Sequence, residues 1–299
     1  MENKFPFTNL VLEGGGVKGI AYAGALKVLE DHQILPQIQK VAGTSAGAIT
    51  AALVAMRCSA KDIQEIVNGT NFASFEDHKG YFQIVTKYGL YRGDAFLNWM
   101  KKQIADKNIP PEVTFQQLVE NHNGLDLHVF ATDLNTKSVK EFCAKKTPTT
   151  IVAEAVRASM SIPLFFEAWQ FPNSTPDNHI YVDGGTVYNY PITAFDTDGE
   201  LNNNTLGLHL DNLSGEVVDD GLGYKHLFKY IKALFETLLD AQVIDFDRNK
   251  EQQLQTIRID DFGISATDFK ITSQQKQKLF DSGVKCATEF LENYQSDSA

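Results

Sequence analysis

The chain has 299 residues, of which 43% are hydrophobic and 22% are charged, a composition typical of a globular protein with a full core. Lys and Arg total 27 against 38 Asp and Glu, which gives a formal net charge of −11. This acidic balance, without a basic block, argues against a nucleic-acid-binding protein, because phosphate contacts dominate that affinity. It also argues against purely electrostatic adhesion to anionic lipid.

The sequence predicts neither a membrane span nor a disulfide framework. No stretch approaches the roughly 20 apolar residues of a membrane-spanning helix, and the short apolar run at 10–12 is no signal peptide because it ends in Glu13. Cys58, Cys143 and Cys286 are widely spaced and form no zinc-binding spacing. We expect a cytoplasmic protein, attached at most to a membrane surface.

Two strand–turn–helix units occupy the first 60 residues. An apolar strand at 8–13 precedes a glycine loop and a helix at 17–32. A second strand at 38–42 precedes another turn of small residues and a helix at 48–57. Two such units in succession predict an α/β fold with a parallel sheet.

The rest of the chain continues this pattern to the C-terminus. The further predicted elements are a mostly helical, aromatic-rich stretch at 59–118, strands at 125–134 and 139–142, a helix at 149–159, strands at 179–182, 205–210 and 256–259, and helices at 224–243 and 273–294. In the helix at 224–243, one apolar face is predicted to consist of Leu227, Ile231, Leu234, Phe235 and Leu238. We predict a single domain, 1–299, with a core at about 8–211, a helical insertion or cap at about 72–110 and a C-terminal helical region at about 221–295.

The turn after the second strand has the pattern of a serine nucleophile. It reads Gly43-Thr44-Ser45-Ala46-Gly47, a G-x-S-x-G turn between a strand and a helix. Its small residues let the backbone fold sharply, so that the serine hydroxyl stands exposed at the carboxyl end of the sheet. A strand-to-helix turn without chemistry has the same composition, so this motif needs support from elsewhere in the chain.

The loop Gly14-Gly15-Gly16-Val17-Lys18-Gly19 matches G-x-G-x-x-G, the fingerprint of a dinucleotide-binding turn. That fingerprint also requires an acidic residue about 20 positions onward, and 36–44 contain no Asp or Glu. Glycine amides beside a serine turn can instead stabilise an oxyanion. We favour the oxyanion hole over the nucleotide site. Lys18 adds positive charge nearby, although a solvated helix residue would look the same.

After a nucleophile and an oxyanion hole, a serine hydrolase also requires a base. An α/β hydrolase usually has its triad in the order Ser, acid, His. Only His209 and His226 follow Asp183, and neither lies in a glycine-rich loop. Asp183-Gly184-Gly185 ends a predicted strand, and its two glycines allow a tight turn that presents the carboxylate. An aspartate with an ordinary pKa near about 3.9 is a weak base, but burial would raise that pKa.

These three motifs, in this order, resemble the patatin-like phospholipase family. The resemblance covers roughly the first 200 residues and includes Ala158-Ser159-Met160-Ser161-Ile162-Pro163. It implies a parallel-rich central sheet with helices on both faces and a Ser-Asp dyad of Ser45 and Asp183. It places the oxyanion amides on Gly14, Gly15, Gly16 and Val17, with Lys18, Gly19, Gly43, Gly47, Gly184 and Gly185 supporting the motifs. Members often carry Arg where this chain has Lys18.

The implied activity is a lipid acyl hydrolase of the phospholipase A or lysophospholipase type, working through an acyl-enzyme without a cofactor or metal. Its expected partners are a phospholipid or other acyl lipid and a membrane surface, with no nucleic acid. Two alternatives remain open at this point. One is an acyltransferase on the same scaffold, and the other is a dinucleotide-binding protein that uses 14–19.

Overall fold

The computed structural model describes residues 5–197, 199–215 and 227–297. The strands are β1 (Asn9–Leu12), β2 (Lys40–Thr44), β3 (Gly89–Tyr91), β4 (Asp126–Asp133), β5 (Ser138–Phe142), β6 (Leu164–Phe166), β7 (Tyr181–Asp183), β8 (Thr205–Asp211) and β9 (Thr256–Asp260). The helices are α1 (Ala21–Asp31), α2 (Ala46–Ala55), α3 (Ala60–Gly69), α4 (Tyr81–Thr86), α5 (Asp94–Asp106), α6 (Phe115–His122), α7 (Val152–Ser159), α8 (Leu227–Arg248), α9 (Lys250–Leu254) and α10 (Ser273–Asp297).

A seven-stranded sheet forms the centre of the molecule. Its order is β5-β4-β2-β1-β8-β9, and β7 also pairs with β4. Strands β4, β2, β1, β8 and β9 are parallel, whereas β5 and β7 run antiparallel to β4. The parallel strands are apolar and almost fully buried, as expected where both faces of a sheet are covered.

The alternation of side chains along the strands divides the core between two faces. Leu10 and Leu12 of β1 belong to the larger apolar cluster, which also contains residues of α1, α2, α7 and α10. Val11 points to the opposite face and joins a smaller cluster with Phe130 of β4. On that face His209 of β8 stacks on Phe246 of α8. Helices therefore cover both faces, and the predicted fold class is confirmed.

Two predicted helices differ from the structure. The helix predicted at 17–32 begins as a 3-10 turn, Gly16–Ile20, and only Ala21–Asp31 is α-helical. The Val17 amide donates to the Ala266 carbonyl at 3.0 Å, so it is engaged outside the helix. In α8, Ile231 and Phe235 are buried as predicted, together with Leu239, whereas Leu234 and Leu238 are exposed, so the predicted face was right for the first pair and wrong for the second. The predicted helix start at 224–226 lies outside the described residues.

The segment 72–110 is not purely helical. It contains a 3-10 turn, α4, β3 and α5, and β3 pairs in parallel with β6 in a separate two-stranded sheet. Phe75, Tyr91 and Phe96 are buried in the larger cluster. These three aromatic residues serve as core, whereas Tyr88 is exposed. The domain boundaries stay a prediction.

None of the helices within the described ranges is both long enough and apolar enough to cross a membrane.

Candidate active site

The sheet brings the serine turn and the aspartate turn together. Strand β2 pairs with β4 as far as Thr44 opposite Phe130, and β7 pairs with β4 from Asp183 opposite Ala131. Because β5 occupies the other edge of β4 at these positions, β2 and β7 lie end to end on the same edge. Ser45 follows the last residue of β2 and therefore meets the last residue of β7.

The backbone at Ser45 is strained in the way that a nucleophile turn requires. Ser45 has φ 52° and ψ −121°, which residues with a side chain rarely adopt, and α2 begins directly after it. The flanking glycines allow the sharp fold. A Cβ on Gly43 would lie 2.3 Å from the Gly47 carbonyl oxygen, and one on Gly47 would lie 2.3 Å from that of Leu12.

The Ser45 hydroxyl donates a hydrogen bond of 2.7 Å to Asp183 Oδ2. Asp183 is fully buried, and its Oδ1 accepts from the Gly185 amide at 2.7 Å. Burial raises the pKa of Asp183 from 3.8 to about 7, although the hydrogen bonds from Ser45 and Gly185 act in the opposite direction. A carboxylate with this pKa can accept a proton near neutral pH. Gly184 packs against the Phe130 carbonyl with no room for a Cβ.

The segment after α7 fixes both residues of the pair. The Ser45 amide donates to Ser159 Oγ at 2.8 Å, and Ser159 Oγ donates to the Phe130 carbonyl. The Asp183 amide donates to the Ser161 carbonyl at 2.8 Å. The resemblance included this segment, but the sequence assigned it no function. Its contacts show that it holds Ser45 and Asp183 in register.

The glycine loop borders the serine. A Cβ built on Gly14 would lie 3.2 Å from Ser45 Cβ. The Gly14 amide already donates to the Asn189 carbonyl, and the Val17 amide to that of Ala266. Within the described ranges, the amides of Gly15 and Gly16 donate to no other protein group. The prediction of four oxyanion donors therefore narrows to two free amides, because tertiary contacts occupy the other two.

The remaining loop residues support this arrangement. Lys18 is not a solvated helix residue, since its ammonium lies 2.6 Å from Asp261 Oδ2 and its side chain is 17% exposed. Asp261 and Glu13 raise the Lys18 pKa against the effect of burial, which is the largest single influence and lowers it. Gly19 packs closely on α2, where an added Cβ would lie 3.0 Å from Ala46 Cβ.

Asn189, which follows the aspartate turn, connects it to the glycine loop. The sequence did not predict this role. Its Nδ2 donates to Glu13 Oε1 at 2.9 Å and to the Gly14 carbonyl at 3.3 Å. Its Oδ1 is buried and finds no partner in the described part of the chain. A Cβ on Gly185 would lie 2.8 Å from that oxygen. Asn189 follows Asp183 by six positions, but no motif in the sequence marked it as part of the site.

Helix α8 holds the same turn from the other side. Gln242 Nε2 donates to the Gly185 carbonyl at 2.6 Å, and Gln242 Oε1 accepts from the Asn189 amide at 2.8 Å. One side chain therefore links α8 to both ends of the segment that follows the aspartate. The sequence did not predict this role of Gln242, because α8 meets the turn only in the folded chain.

His209 is a buried residue of the second face. It is 1% exposed, its ring stacks on Phe246, and Nε2 lies 3.6 Å from Glu13 Oε1. Burial lowers its pKa to about 3, so the imidazole is neutral. The alternative base His226 lies outside the described residues. The group that accepts a hydrogen bond from Ser45 Oγ is the Asp183 carboxylate.

Glu13 is a buried acid between the glycine loop and β8. Its Oε2 accepts from the Leu210 amide at 2.8 Å. Burial raises its pKa to about 8, while the Leu210 amide, Lys18 and Asn189 act in the opposite direction. Glu13 therefore carries a proton for part of the time at neutral pH. It lies behind the glycine loop and holds Asn189.

Comparison with known proteins places these features in a family. A family model described as patatin-like phospholipase matches residues 10–196. YqhO of Bacillus subtilis (strain 168) is 32% identical over 300 residues, which cover 95% of this chain and 98% of YqhO. The cUMP-AMP-activated phospholipase of Escherichia coli is 26% identical over 229 residues, which cover 72% of this chain and 64% of that protein. The crystal structure of VipD from Legionella pneumophila has the same fold, with a TM-score of 0.69 and 18% identity over 96% of this chain and 67% of VipD.

Proposed function

The chain belongs to the patatin-like phospholipase family, and from this premise we propose that it is a lipid acyl hydrolase whose nucleophile is Ser45 and whose base is Asp183. The observation that carries the proposal is the hydrogen bond of 2.7 Å from Ser45 Oγ to Asp183 Oδ2. The raised pKa of the buried carboxyl group supports the same assignment, because it matches the proton affinity of the base to neutral pH.

The proposed reaction has two steps. Ser45 Oγ attacks the ester carbonyl carbon while Asp183 takes its proton, and the tetrahedral intermediate then expels the alcohol, which receives that proton. Water next gives a proton to Asp183 and attacks the acyl-enzyme. Collapse of the second intermediate releases the fatty acid and returns the proton to Ser45 Oγ. The carboxyl group thus acts as base and as acid in each step.

The proposed oxyanion hole consists of the Gly15 and Gly16 amides. They are the two loop amides without a protein acceptor in the described ranges. The first turn of α2 adds the positive end of a helix dipole at the same place. One such donor typically contributes on the order of 3 kcal/mol to the transition state. A weak base can suffice when the developing charge is stabilised in this way.

The substrate class follows from the family, and we propose phospholipid or lysophospholipid esters. The test is fatty-acid release from phospholipid, lysophospholipid, galactolipid and neutral esters, with Ser45→Ala as the inactive control. Release from phospholipid or lysophospholipid that disappears in Ser45→Ala is the expected result. Release confined to the other two esters would contradict the substrate class. Undiminished release by Ser45→Ala would contradict the nucleophile.

An acyltransferase remains the second candidate, because the same acyl-enzyme can pass its acyl group to an alcohol or thiol. Product analysis with an added alcohol acceptor distinguishes the two. We expect free fatty acid as the main product, since Asp183 is placed to activate water after the leaving alcohol departs. The glycine loop at 14–19 borders Ser45, which favours the oxyanion role over dinucleotide binding. We also propose cytoplasmic location with contact to a lipid surface, tested by cell fractionation.

A further inference from the structure

Strands β4 and β5 bring three metal-binding side chains together, away from the proposed active site. One donor atom from each of His128, Glu141 and Cys143 lies within 4.8 Å of the other two. His128 precedes Ala131, the residue opposite Asp183, by three positions along β4. His128 is thus offset along β4 from the residue opposite the base by about 10 Å, at the usual rise per strand residue.

The register of the antiparallel pair explains why these residues meet. Phe130 pairs with Glu141, and Val129 with Phe142, so His128 is a diagonal neighbour of Glu141 on the same face. Cys143 follows Glu141 by two positions and points to that face as well. Sequence spacing could not show this, because His128 and Cys143 are 15 positions apart and no second Cys is near.

The donor set suits one class of ion. An imidazole, a carboxylate and a thiolate together are typical ligands of Zn²⁺, whereas Mg²⁺ and Ca²⁺ prefer oxygen alone. The two carboxylate oxygens of Glu141 have different partners. Oε1 lies 2.5 Å from His128 Nδ1 and faces the cluster, while Oε2 pairs with Lys146. One carboxylate oxygen can therefore coordinate without breaking the pair with Lys146.

Asp126 lies beside the outer nitrogen of His128, where metal-binding histidines usually have a partner, although the two groups are not aligned as a hydrogen bond. Its Oδ2 lies 3.3 Å from His128 Nε2, on the side of the ring away from Glu141. Such a carboxylate orients the imidazole and directs its other nitrogen to the metal. Cys143 is 1% exposed and His128 is 12% exposed at its side chain, so the cluster is shielded but lies near the surface.

We propose that His128 Nδ1, Glu141 Oε1 and Cys143 Sγ form a Zn²⁺ site, with Asp126 orienting the histidine. On binding, the Cys143 thiol loses its proton to solvent, and the proton of the hydrogen bond between His128 Nδ1 and Glu141 Oε1 is lost to solvent as well. Three protein ligands leave a fourth tetrahedral position for water. The ion would join β5 and the turn after it to β4. This inference does not depend on the proposed hydrolase activity.

The test is titration of the chelator-treated full chain with Co²⁺, which replaces Zn²⁺ in such sites and absorbs strongly when a thiolate binds it. We expect a cobalt–thiolate band that saturates at one equivalent and disappears when Zn²⁺ is added. Cys143→Ser should lose the band, whereas Cys286→Ser, which removes a thiol on α10, should keep it. Asp126→Asn should weaken the affinity by about 10- to 100-fold.

The melting temperature of each metal-free variant shows that it folds, so the absorption reports the site alone. The absence of a band in the parent protein would overturn the proposal, since the three side chains would then be a simple hydrogen-bonded cluster. A band that survives in Cys143→Ser would overturn it equally, because the ion would be bound elsewhere.

Discussion

At the scale of single residues, the proposed chemistry depends on how burial changes proton affinity. An exposed aspartate has a pKa near about 4, so its carboxylate is too weak a base to take a proton from a serine hydroxyl efficiently. Complete burial raises the pKa of Asp183 to about 7, and the hydrogen bonds from Ser45 and Gly185 keep it from rising further. The same burial limits access, because Ser45 itself is only 5% exposed.

The first prediction concerns the pH dependence of activity. The base form of Asp183 is the deprotonated one, and its pKa is raised to about 7. Activity should therefore be low at pH 5 and rise with a midpoint near pH 7, instead of near pH 4 as for an exposed carboxylate. The measurement is kcat/KM against pH with a soluble ester, which reports the free enzyme. A profile that stays flat from pH 5 to pH 8 would contradict the assignment of the base.

The second prediction concerns Asn189 as a positioning residue. Asn189→Ala removes the bonds to Glu13 and Gly14 and loosens the loop beside Ser45. Since a misplacement of about 1 Å can cost up to about 100-fold in rate, we expect kcat to fall by about 10- to 100-fold with KM nearly unchanged. Asn173→Ala, at an exposed position, is the matched control. A change confined to the melting temperature would show a purely structural role.

The sequence predicted Ser45 and Asp183 because each stands in a short motif at the end of a strand. It could not show which loop amides are free, since the Gly14 and Val17 amides are occupied by residues more than 170 positions away. For the same reason it missed Asn189 and Gln242, whose importance comes only from contacts made in the folded chain. Local patterns thus predict the reacting groups, but not the residues that position them.

At the scale of elements, the strands of the central sheet were predicted because buried strands leave short apolar runs between turns. The two short strands of the separate sheet, β3 and β6, were not predicted. The sequence also did not predict the 3-10 start of the first helix or the exposure of two leucines on α8. Leu234 and Leu238 have the same periodicity as Ile231 and Phe235, so hydrophobic spacing alone could not tell the buried face from the exposed one. Tertiary packing makes that choice.

The third prediction tests a close contact between helices α1 and α10. A Cβ on Gly283 of α10 would lie 2.0 Å from the Ala21 carbonyl oxygen of α1. Gly283→Ala must push the helices apart, and we expect it to lower the free energy of unfolding by about 1–3 kcal/mol. Gly69→Ala, at the end of α3 with open space around the new methyl group, is the control. Equal urea midpoints for the two variants would contradict the observed packing of α1 on α10.

At the scale of the whole molecule, two buried acids link stability to pH. Burial raises the pKa of Glu13 to about 8 and that of Asp183 to about 7. The folded chain therefore keeps protons that the unfolded chain releases near about pH 4. Under this linkage the stabilising contribution of each group is complete below its unfolded pKa and is lost as pH rises through its folded pKa.

The fourth prediction follows for Glu13. The free energy of unfolding of the parent protein should fall between pH 5 and pH 8, and Glu13→Gln should make that fall shallower because the amide does not titrate. The measurement is urea unfolding at several pH values. The quantity compared is the slope of the free energy of unfolding against pH, not the absolute stability. Glu65→Gln, at a position 68% exposed, should keep the parent slope. A Glu13→Gln slope equal to the parent's would contradict the raised pKa.

The most direct test of the proposed dyad is fatty-acid release by Asp183→Asn compared with His209→Ala. Asparagine keeps the shape of the side chain but cannot take the proton from Ser45, so we expect a loss of about 100- to 10,000-fold, the usual contribution of a general base. His209→Ala removes the buried imidazole on the second face and should retain most activity in the protein that remains folded. Undiminished release by Asp183→Asn, with loss in a folded His209→Ala protein, would contradict the Ser45–Asp183 dyad.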